Sequence, residues 1–282
     1  MTQQSKPLIT IIIAVFNGAK TLQHCIDSVA QQTYPNKQLI IIDANSTDGT
    51  VDLLKANNHI INYWISEPDK GIYSAWNKGL LKAEGDWLCF LGADDYFWDA
   101  QVLEKMSQAL EKVPSDIAVV YGQIMLLSEE GDEMYLSGES WLTAKQKYIQ
   151  TPSIPHTATM HRRAFFEQHG NFDESFRIAG DYEMLLRELK SADAMFIPKL
   201  ITAGMRQGGV SSNPKNSLLS MKEIRRAQKK HGYPYPSALW IRALLRVYLR
   251  LLLSKILGDN LTAKFIDYFR QIIGLPAYWT KI

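Results

Sequence analysis

Cysteine is scarce: the 282 residues contain two, Cys25 and Cys89. Both sit among apolar neighbours at no metal-binding spacing. They exclude a disulfide framework and a cysteine–zinc centre, and they read as core fillers. No charged region and cleavage site frame the apolar run Ile9–Val15, so it is not read as a secretory leader, and a reducing, cytoplasmic setting is expected. No Gly-x-Gly-x-x-Gly follows that run, and no Gly-x-x-x-x-Gly-Lys-Ser/Thr occurs, which removes the two commonest phosphate cradles. A recognisable nucleic-acid module is also missing, so no nucleic-acid partner is expected.

Acidic residues are short in one place. From Lys199 to Ile282 the chain carries 15 of its 31 basic residues and 3 of its 29 acidic ones, a net of +12 against −10 for the rest. An acidic body with a basic tail points the tail at an anionic surface. Leu218–His231 reads as a basic helix, and Tyr233-Pro234-Tyr235-Pro236 interrupts it. Ala238–Leu257 (ALWIRALLRVYLRLLLSKIL) then carries Arg242, Arg246 and Arg250 at spacing four. Three internal arginines argue against a spanning helix, whereas a basic stripe on an apolar helix suits a membrane interface. Phe265–Ile273 and Tyr278-Trp279 extend that chemistry. The other reading is that this apolar surface packs on protein.

What is abundant is strand–helix alternation. Pro7–Val15, Leu39–Ile42, Ile61–Ser66 and Leu88–Leu91 read as buried strands, with helices at Lys20–Gln32, Thr50–Ala56 and Gly71–Ala83. Hydrophobic strands alternating with helices predict an α/β fold with a mostly parallel sheet covered on both faces. Ligands then bind beyond the carboxyl ends of the strands. Every polar break lies at such an end: Phe16-Asn17-Gly18, Asp43–Asp48, Glu67–Gly71 and Asp94-Asp95. Further along, Gln101–Lys112 reads as helix, Ile117–Leu127 as strand and Met134–Leu136 as a returning strand. His161, Arg162 and Arg163 read as a solvated start to the helix Ala164–His169.

The last of these breaks concentrates the chemistry. In Leu88–Tyr96 (LCFLGADDY) an apolar run stops at Gly92 and gives way to Asp94 and Asp95. Charge leaving a core needs solvent, a basic partner or a cation. Their hard oxygens suit Mg²⁺ or Mn²⁺ rather than Zn²⁺; a solvated Asp-Asp turn is the plain alternative. Lacking a glycine-rich cradle, a nucleotide at this edge would need such a metal for its phosphates. Lys70 and Gly71, between a strand end and a helix start, could offer a cation and backbone N–H groups to a diphosphate, or the lysine is simply solvated. Asp43 and Asp48 could equally be turn formers. Trp76 reads as core.

The segments ITIIIAVFNGAKTLQHCIDSVAQQTYPNKQLIIIDANSTDGT, SEPDKGIYSAWNKGL, AEGDWLCFLGADD and AGDYEMLLR occur in that order over roughly residues 7–205. Together they resemble the family 2 glycosyltransferases of the GT-A fold, in particular those of bacterial polysaccharide assembly. The resemblance implies a catalytic domain at 1–210, with a nucleotide-sugar-binding half at 1–100 and an acceptor half at 101–210. A helical, membrane-associating extension would follow at 211–282. It implies sugar transfer with inversion from a nucleoside diphosphate donor, UDP-linked by family habit.

Residue by residue, the resemblance places base and ribose at Val15, Phe16 and Asn17 and the nucleobase pocket at Asp43. Asp94 and Asp95 match the Asp-x-Asp-type motif that meets the ribose and the diphosphate-bound metal, and Asp181 matches the catalytic base. Two positions depart from the pattern. Ala44 stands where a second Asp often contacts uracil, and Gly92 where the metal motif often begins with Asp. His156 lies near a histidine that faces the acceptor in resembling sequences; a satisfied structural histidine is the other reading. Asp181 reads either as a helix N-cap or as a base taking the acceptor hydroxyl's proton, with Glu183 an alternative base. Gly204–Asn213 reads as a loop that closes over donor, bringing Arg206 to the diphosphate, or as a linker.

The chain is therefore expected to be a metal-dependent inverting glycosyltransferase, peripheral on the inner face of the cell membrane, acting on a glycan or lipid-linked glycan. The contrasting reading is a catalytically degenerate nucleotide-sugar-binding or scaffold module at the membrane.

Overall fold

Four buried runs begin the fold. β1 (Ile9–Val15), β2 (Lys37–Asp43), β3 (Tyr63–Ser66) and β4 (Trp87–Gly92) lie parallel in the order β3-β2-β1-β4. Ile11, Ile12 and Ile13 of β1 and Ile40, Ile41 and Ile42 of β2 are all fully buried. Consecutive apolar residues are satisfied on both faces because helices cover both. α1 (Leu22–Ala30), α2 (Thr50–Ala56) and α3 (Ile72–Leu80) are the connections. α3 approaches β1 so closely that a Cβ on Gly79 would stand 2.5 Å from Ile12 Cγ2. The register aligns the strand ends: Val15 is opposite Asp43, Asp43 opposite Ser66, and Ala14 opposite Gly92. The polar breaks therefore share one edge, as the strand-end pattern predicts.

The computed structural model describes residues 6–209 and 213–281. Its second half adds β5 (Tyr96–Phe97), α4 (Val102–Leu110), β6 (Ile117–Leu127), β7 (Glu133–Ser137) and α5 (Trp141–Lys147). β8 (Met160–Arg162), α6 (Arg163–His169), α7 (Gly180–Glu188) and β9 (Asp193–Arg206) follow. The nine strands form one mixed, mostly parallel sheet, β3-β2-β1-β4-β8-β6-β9-β5, with β7 beside β6. β8 runs antiparallel to both β4 and β6, so β6 keeps the direction of β4.

Two sequence expectations change here. Gly204–Arg206 is not loop: it ends β9, paired with β6 and, through Gly204, with β5. Of that stretch, residues 210–212 lie outside the described residues. His161 is not solvated: it is fully buried in β8, with Nδ1 2.9 Å from Glu188 Oε2. Flanking arginines hide a residue whose neighbour is supplied by α7.

Three helices complete the chain: α8 (Ser217–Lys230), α9 (Ala238–Leu257) and α10 (Asp259–Ile272). α8 buries Met221, Ile224 and Ala227. α9 and α10 pack on each other yet leave large apolar side chains in solvent, among them Leu245, Ile256, Phe265 and Tyr268. Among the described residues no helix is long and apolar enough to cross a membrane.

Candidate active site

The loops after β1 and β2 are stitched together. Asp43, fully buried, accepts from Ser46 N at 3.0 Å, Ser46 Oγ at 2.5 Å and Ser66 Oγ at 2.6 Å. Asn17 adopts the left-handed conformation that asparagine tolerates (φ 51°). Its N–H donates to Ser46 Oγ at 2.7 Å, and its Oδ1 accepts from Thr47 N at 3.0 Å. Asp48 accepts from Ala19 N and Thr50 Oγ1, which is turn chemistry. Val15 is buried at the end of β1. The next residue, Phe16, is 66% exposed, an aromatic face beside these two loops.

Beyond β4 the chain turns tightly, with Asp95 N donating to Gly92 O at 3.2 Å. A Cβ on Gly92 would stand 2.7 Å from Asp94 Oδ1 and 3.0 Å from Asp95 Oδ2. The missing side chain at Gly92 is thus what lets both carboxylates fold back over the strand end. Asp95 is buried; Oδ2 accepts from Gly92 N at 3.3 Å and Thr157 Oγ1 at 3.1 Å, and Oδ1 from Arg206 N at 3.3 Å. Burial, then the Asp94 charge, pushes the Asp95 carboxyl up to about 7. Burial also raises Asp94, against the pull of Arg206. Gly209 comes close, since a Cβ on it would lie 3.4 Å from Asp94 Oδ2.

Two carboxyls whose ionisation burial and mutual repulsion oppose form a site that a cation relieves. Among the described residues no third acid, histidine or cysteine completes a ligand cluster. Mg²⁺ is commonly held by one or two carboxylates, with substrate phosphates and water supplying the rest. The pair fits such an ion bound together with a diphosphate.

Asp181 lies in the first turn of α7 but does not cap it, because the N-cap position is Ala179. Its Oδ1 accepts from Tyr182 N at 2.8 Å and from the Tyr73 hydroxyl of α3 at 3.3 Å. Gly180 is needed beside it: a Cβ there would stand 2.7 Å from the Tyr73 ring. Burial raises the Asp181 carboxyl, and the two donors oppose it. Asp181 faces a narrow cleft shared with Ser153, Ile154 and Leu185. Glu183 turns the other way and meets His231 at 2.8 Å, Lys230 at 3.0 Å and Arg187 at 3.2 Å. Burial would raise it, but the hydrogen bond with His231 and the charges of Arg187 and Lys230 hold it below the usual carboxylate range, so it is engaged structurally.

His156 stacks with Phe90 at 5.5 Å and tilts against Trp76 at 5.2 Å. Burial, then the nearby His161, holds its imidazole well below the usual range, so it is neutral. Arg206 donates from Nη1 to Glu129 O at 3.0 Å. Lys70 is exposed. Gly71, with φ 126°, precedes α3 and donates its N–H to Asp69 Oδ1 at 2.8 Å. The structure thus gathers Asp94, Asp95, Arg206 and, through Thr157, the His156 segment; Tyr73 links the start of α3, next to Lys70 and Gly71, to Asp181.

Sequence reasoning missed Ser66, Tyr73, Thr157 and Glu223. The last is notable: buried in α8, its carboxylate accepts from the backbone N–H groups of Arg177 (2.9 Å), Ile178 (2.8 Å) and Ala179 (3.0 Å). Nothing in the sequence marks it, because its partners lie more than forty residues upstream.

Known proteins are similar to this chain in sequence and in fold. The model of the glycosyl transferase family 2 matches residues 10–170. A PGL/p-HBAD biosynthesis glycosyltransferase of Mycobacterium bovis is 31% identical over 189 residues, spanning 64% of this chain and 69% of that protein. An uncharacterized glycosyltransferase of Mycobacterium tuberculosis is 30% identical over 251 residues, 87% of this chain and 91% of that one. Among solved structures, residues 1–349 of S. aureus TarS with UDP-GlcNAc superpose with a TM-score of 0.63 at 18% identity, covering 90% of this chain and 75% of that one. Against another TarS structure the chain spans 44% of that chain. The mannosyltransferase PcManGT of Pyrobaculum calidifontis, with GDP-Man and Mn²⁺, gives 0.63 at 15% identity, covering 95% and 81%. The fold is GT-A-like, and the chain belongs to glycosyl transferase family 2 as a glycosyltransferase.

Proposed function

We propose that the protein transfers a sugar with inversion from a UDP-linked donor to a hydroxyl of a lipid-linked glycan in surface-polysaccharide assembly. The observation that carries this reading is the half-buried Asp94 beside the buried Asp95 at the end of β4, Asp95 being held by Thr157 and Arg206 and its carboxyl raised by burial and by Asp94. Two relatives in fold support a nucleotide-sugar donor: TarS is solved with UDP-GlcNAc, which favours the UDP link, and PcManGT with GDP-Man and Mn²⁺, which favours the metal.

In this reading Phe16, Asn17 and Asp43 frame the nucleobase, and Lys70, Gly71 and Arg206 approach the diphosphate. Asp94 and Asp95 would hold Mg²⁺ or Mn²⁺, which would neutralise charge developing on the diphosphate. Asp181 accepts the proton of the acceptor hydroxyl as its oxygen bonds to the anomeric carbon. The bond to the diphosphate oxygen breaks, and its electron pair leaves with the diphosphate. A single carboxylate base without a partner nucleophile gives inversion. A carboxyl raised by burial is better matched to this task at neutral pH than a solvated one. His156, neutral and packed, would shape the acceptor side. The exposed apolar faces of α9 and α10 would seat the enzyme peripherally on an anionic membrane.

Asp181→Asn is the test. Transfer should fall by about 10²–10⁴ with donor affinity retained, and the wild-type product should carry the opposite anomeric configuration by NMR. Unchanged turnover would remove Asp181 as the base, and a retained configuration would remove single displacement.

A further inference from the structure

The wall across the cleft from Asp181 has anchors of its own. Residues 151–156 lie in neither helix nor strand, yet Ser153 and Ile154 line the cleft. Ile154 is buried and joins the apolar cluster that holds Tyr148, Tyr182 and Leu185. A segment outside the sheet ladder keeps its place through whatever holds its ends. At the far end Thr157 donates to Asp95 Oδ2, and Thr159 Oγ1 donates to Pro155 O at 2.5 Å.

At the near end the anchor is Gln228 of α8, which is 2% exposed. Its Nε2 donates to two consecutive carbonyls, Ile149 O at 3.1 Å and Gln150 O at 3.0 Å. Tyr182, the residue after Asp181, closes the triangle. Its hydroxyl donates to Ile149 O at 2.9 Å and lies 3.4 Å from Gln228 Nε2. Gln228 therefore touches both the wall and α7. Two neighbouring carbonyls need two N–H donors from one group, which a primary amide supplies and a carboxylate or an alkyl chain does not. The amide is itself oriented, because Oε1 accepts from Arg225 Nη1 at 3.3 Å. The same guanidinium donates to Tyr233 O at 2.8 Å and to Pro234 O. A buried amide committed at both ends holds its neighbours in one geometry, and losing it leaves carbonyls unpaired.

We propose that Gln228 is a positioning residue for the base: it draws residues 149–154 onto α7 as a wall that keeps water from Asp181. α8 then serves both sides of the cleft. Glu223 holds residues 177–179 ahead of Asp181, and Gln228 holds the wall opposite. Excluding water strengthens the electrostatics of a site and bars water as a competing acceptor. That consequence for transfer rests on Asp181 being the base; the wall itself does not.

The test is an NMR titration of the full chain carrying ¹³C-labelled aspartate, with the Asp181 Cγ signal identified by its absence in Asp181→Asn. In the native protein burial sets this carboxyl above the ordinary value of about 4. Gln228→Leu keeps the bulk and removes both N–H donors, so water should enter and bring the midpoint down by about one pH unit. Tyr182→Phe removes one of the bonds and should move the midpoint the same way by less. The other titratable groups that bear on Asp181, Tyr73 of α3 and His161 of β8, are untouched by either substitution. A purely structural Gln228 would lower the urea midpoint and leave the titration where it is. An unmoved titration in Gln228→Leu, or in Tyr182→Phe should the first variant not fold, would overturn the proposal. The base reading fails separately, if Asp181→Asn retains transfer while Gln228→Leu still shifts the titration.

Discussion

Asp95 is the residue at which burial, charge and pH meet. An ordinary carboxyl titrates near 4, and this one is pushed up to about 7 by burial and by Asp94. With the folded value above the unfolded one, its contribution to stability is fully present below about pH 4 and is lost as pH rises through about 7. Thermal melts of the metal-free protein should therefore show a loss over that window which Asp95→Asn removes; an identical slope in the variant would contradict the assignment. Metal binding must displace the Asp95 proton, so Mn²⁺ affinity should fall about tenfold per pH unit below 7. At the other end of the edge, Phe16 is the exposed aromatic face, and Phe16→Ala should weaken nucleotide binding by roughly 1–3 kcal/mol if a base stacks there. Unaltered affinity by calorimetry would place the base elsewhere.

At the scale of elements, α8 holds the segment that precedes Asp181. Three N–H groups converge on Glu223, and Glu183 of α7 is tied back to Lys230 and His231. Glu223→Ala leaves those donors unpaired, which should cost on the order of 3 kcal/mol in urea unfolding. It should also lower turnover while sparing donor affinity; unchanged turnover would mean that the clamp does not position Asp181. Such elements differ in how far the sequence discloses them. α2 over Thr50–Ala56, β6 over Ile117–Leu127 and α9 over Ala238–Leu257 are read at the bounds observed, because their periodicity or apolar run is unbroken. β9 is not read at all: Pro198 and Lys199 split it, Lys199 sits at φ 64°, and its register with β6 shifts. Strand-end carboxylates are legible because they are local punctuation. Their partners, Ser66, Tyr73, Thr157 and Glu223, depend on which elements become neighbours, and His161 is misread for the same reason.

At the scale of the whole molecule, the charge asymmetry becomes spatial. The acidic strand edge lies in the first half of the chain, and the basic, apolar helices α9 and α10 close its end. Arg242 and Arg246 are exposed on α9, whereas Arg250 turns onto Trp279 and leaves the stripe. Arg242→Glu with Arg246→Glu should reduce binding to anionic vesicles more than tenfold, and added salt should mimic the loss. Binding unmoved by both would assign the exposed apolar faces to a protein partner. The claim on which the molecule's function turns is donor binding through a cation at Asp94/Asp95. Calorimetric titration of UDP, GDP, CDP and dTDP, first with Mn²⁺ and then with EDTA, tests it most directly. UDP should bind tightly with Mn²⁺, lose that affinity in EDTA, and lose it equally in Asp95→Asn. Affinity for any of the four that is the same in Mn²⁺ and in EDTA would contradict it.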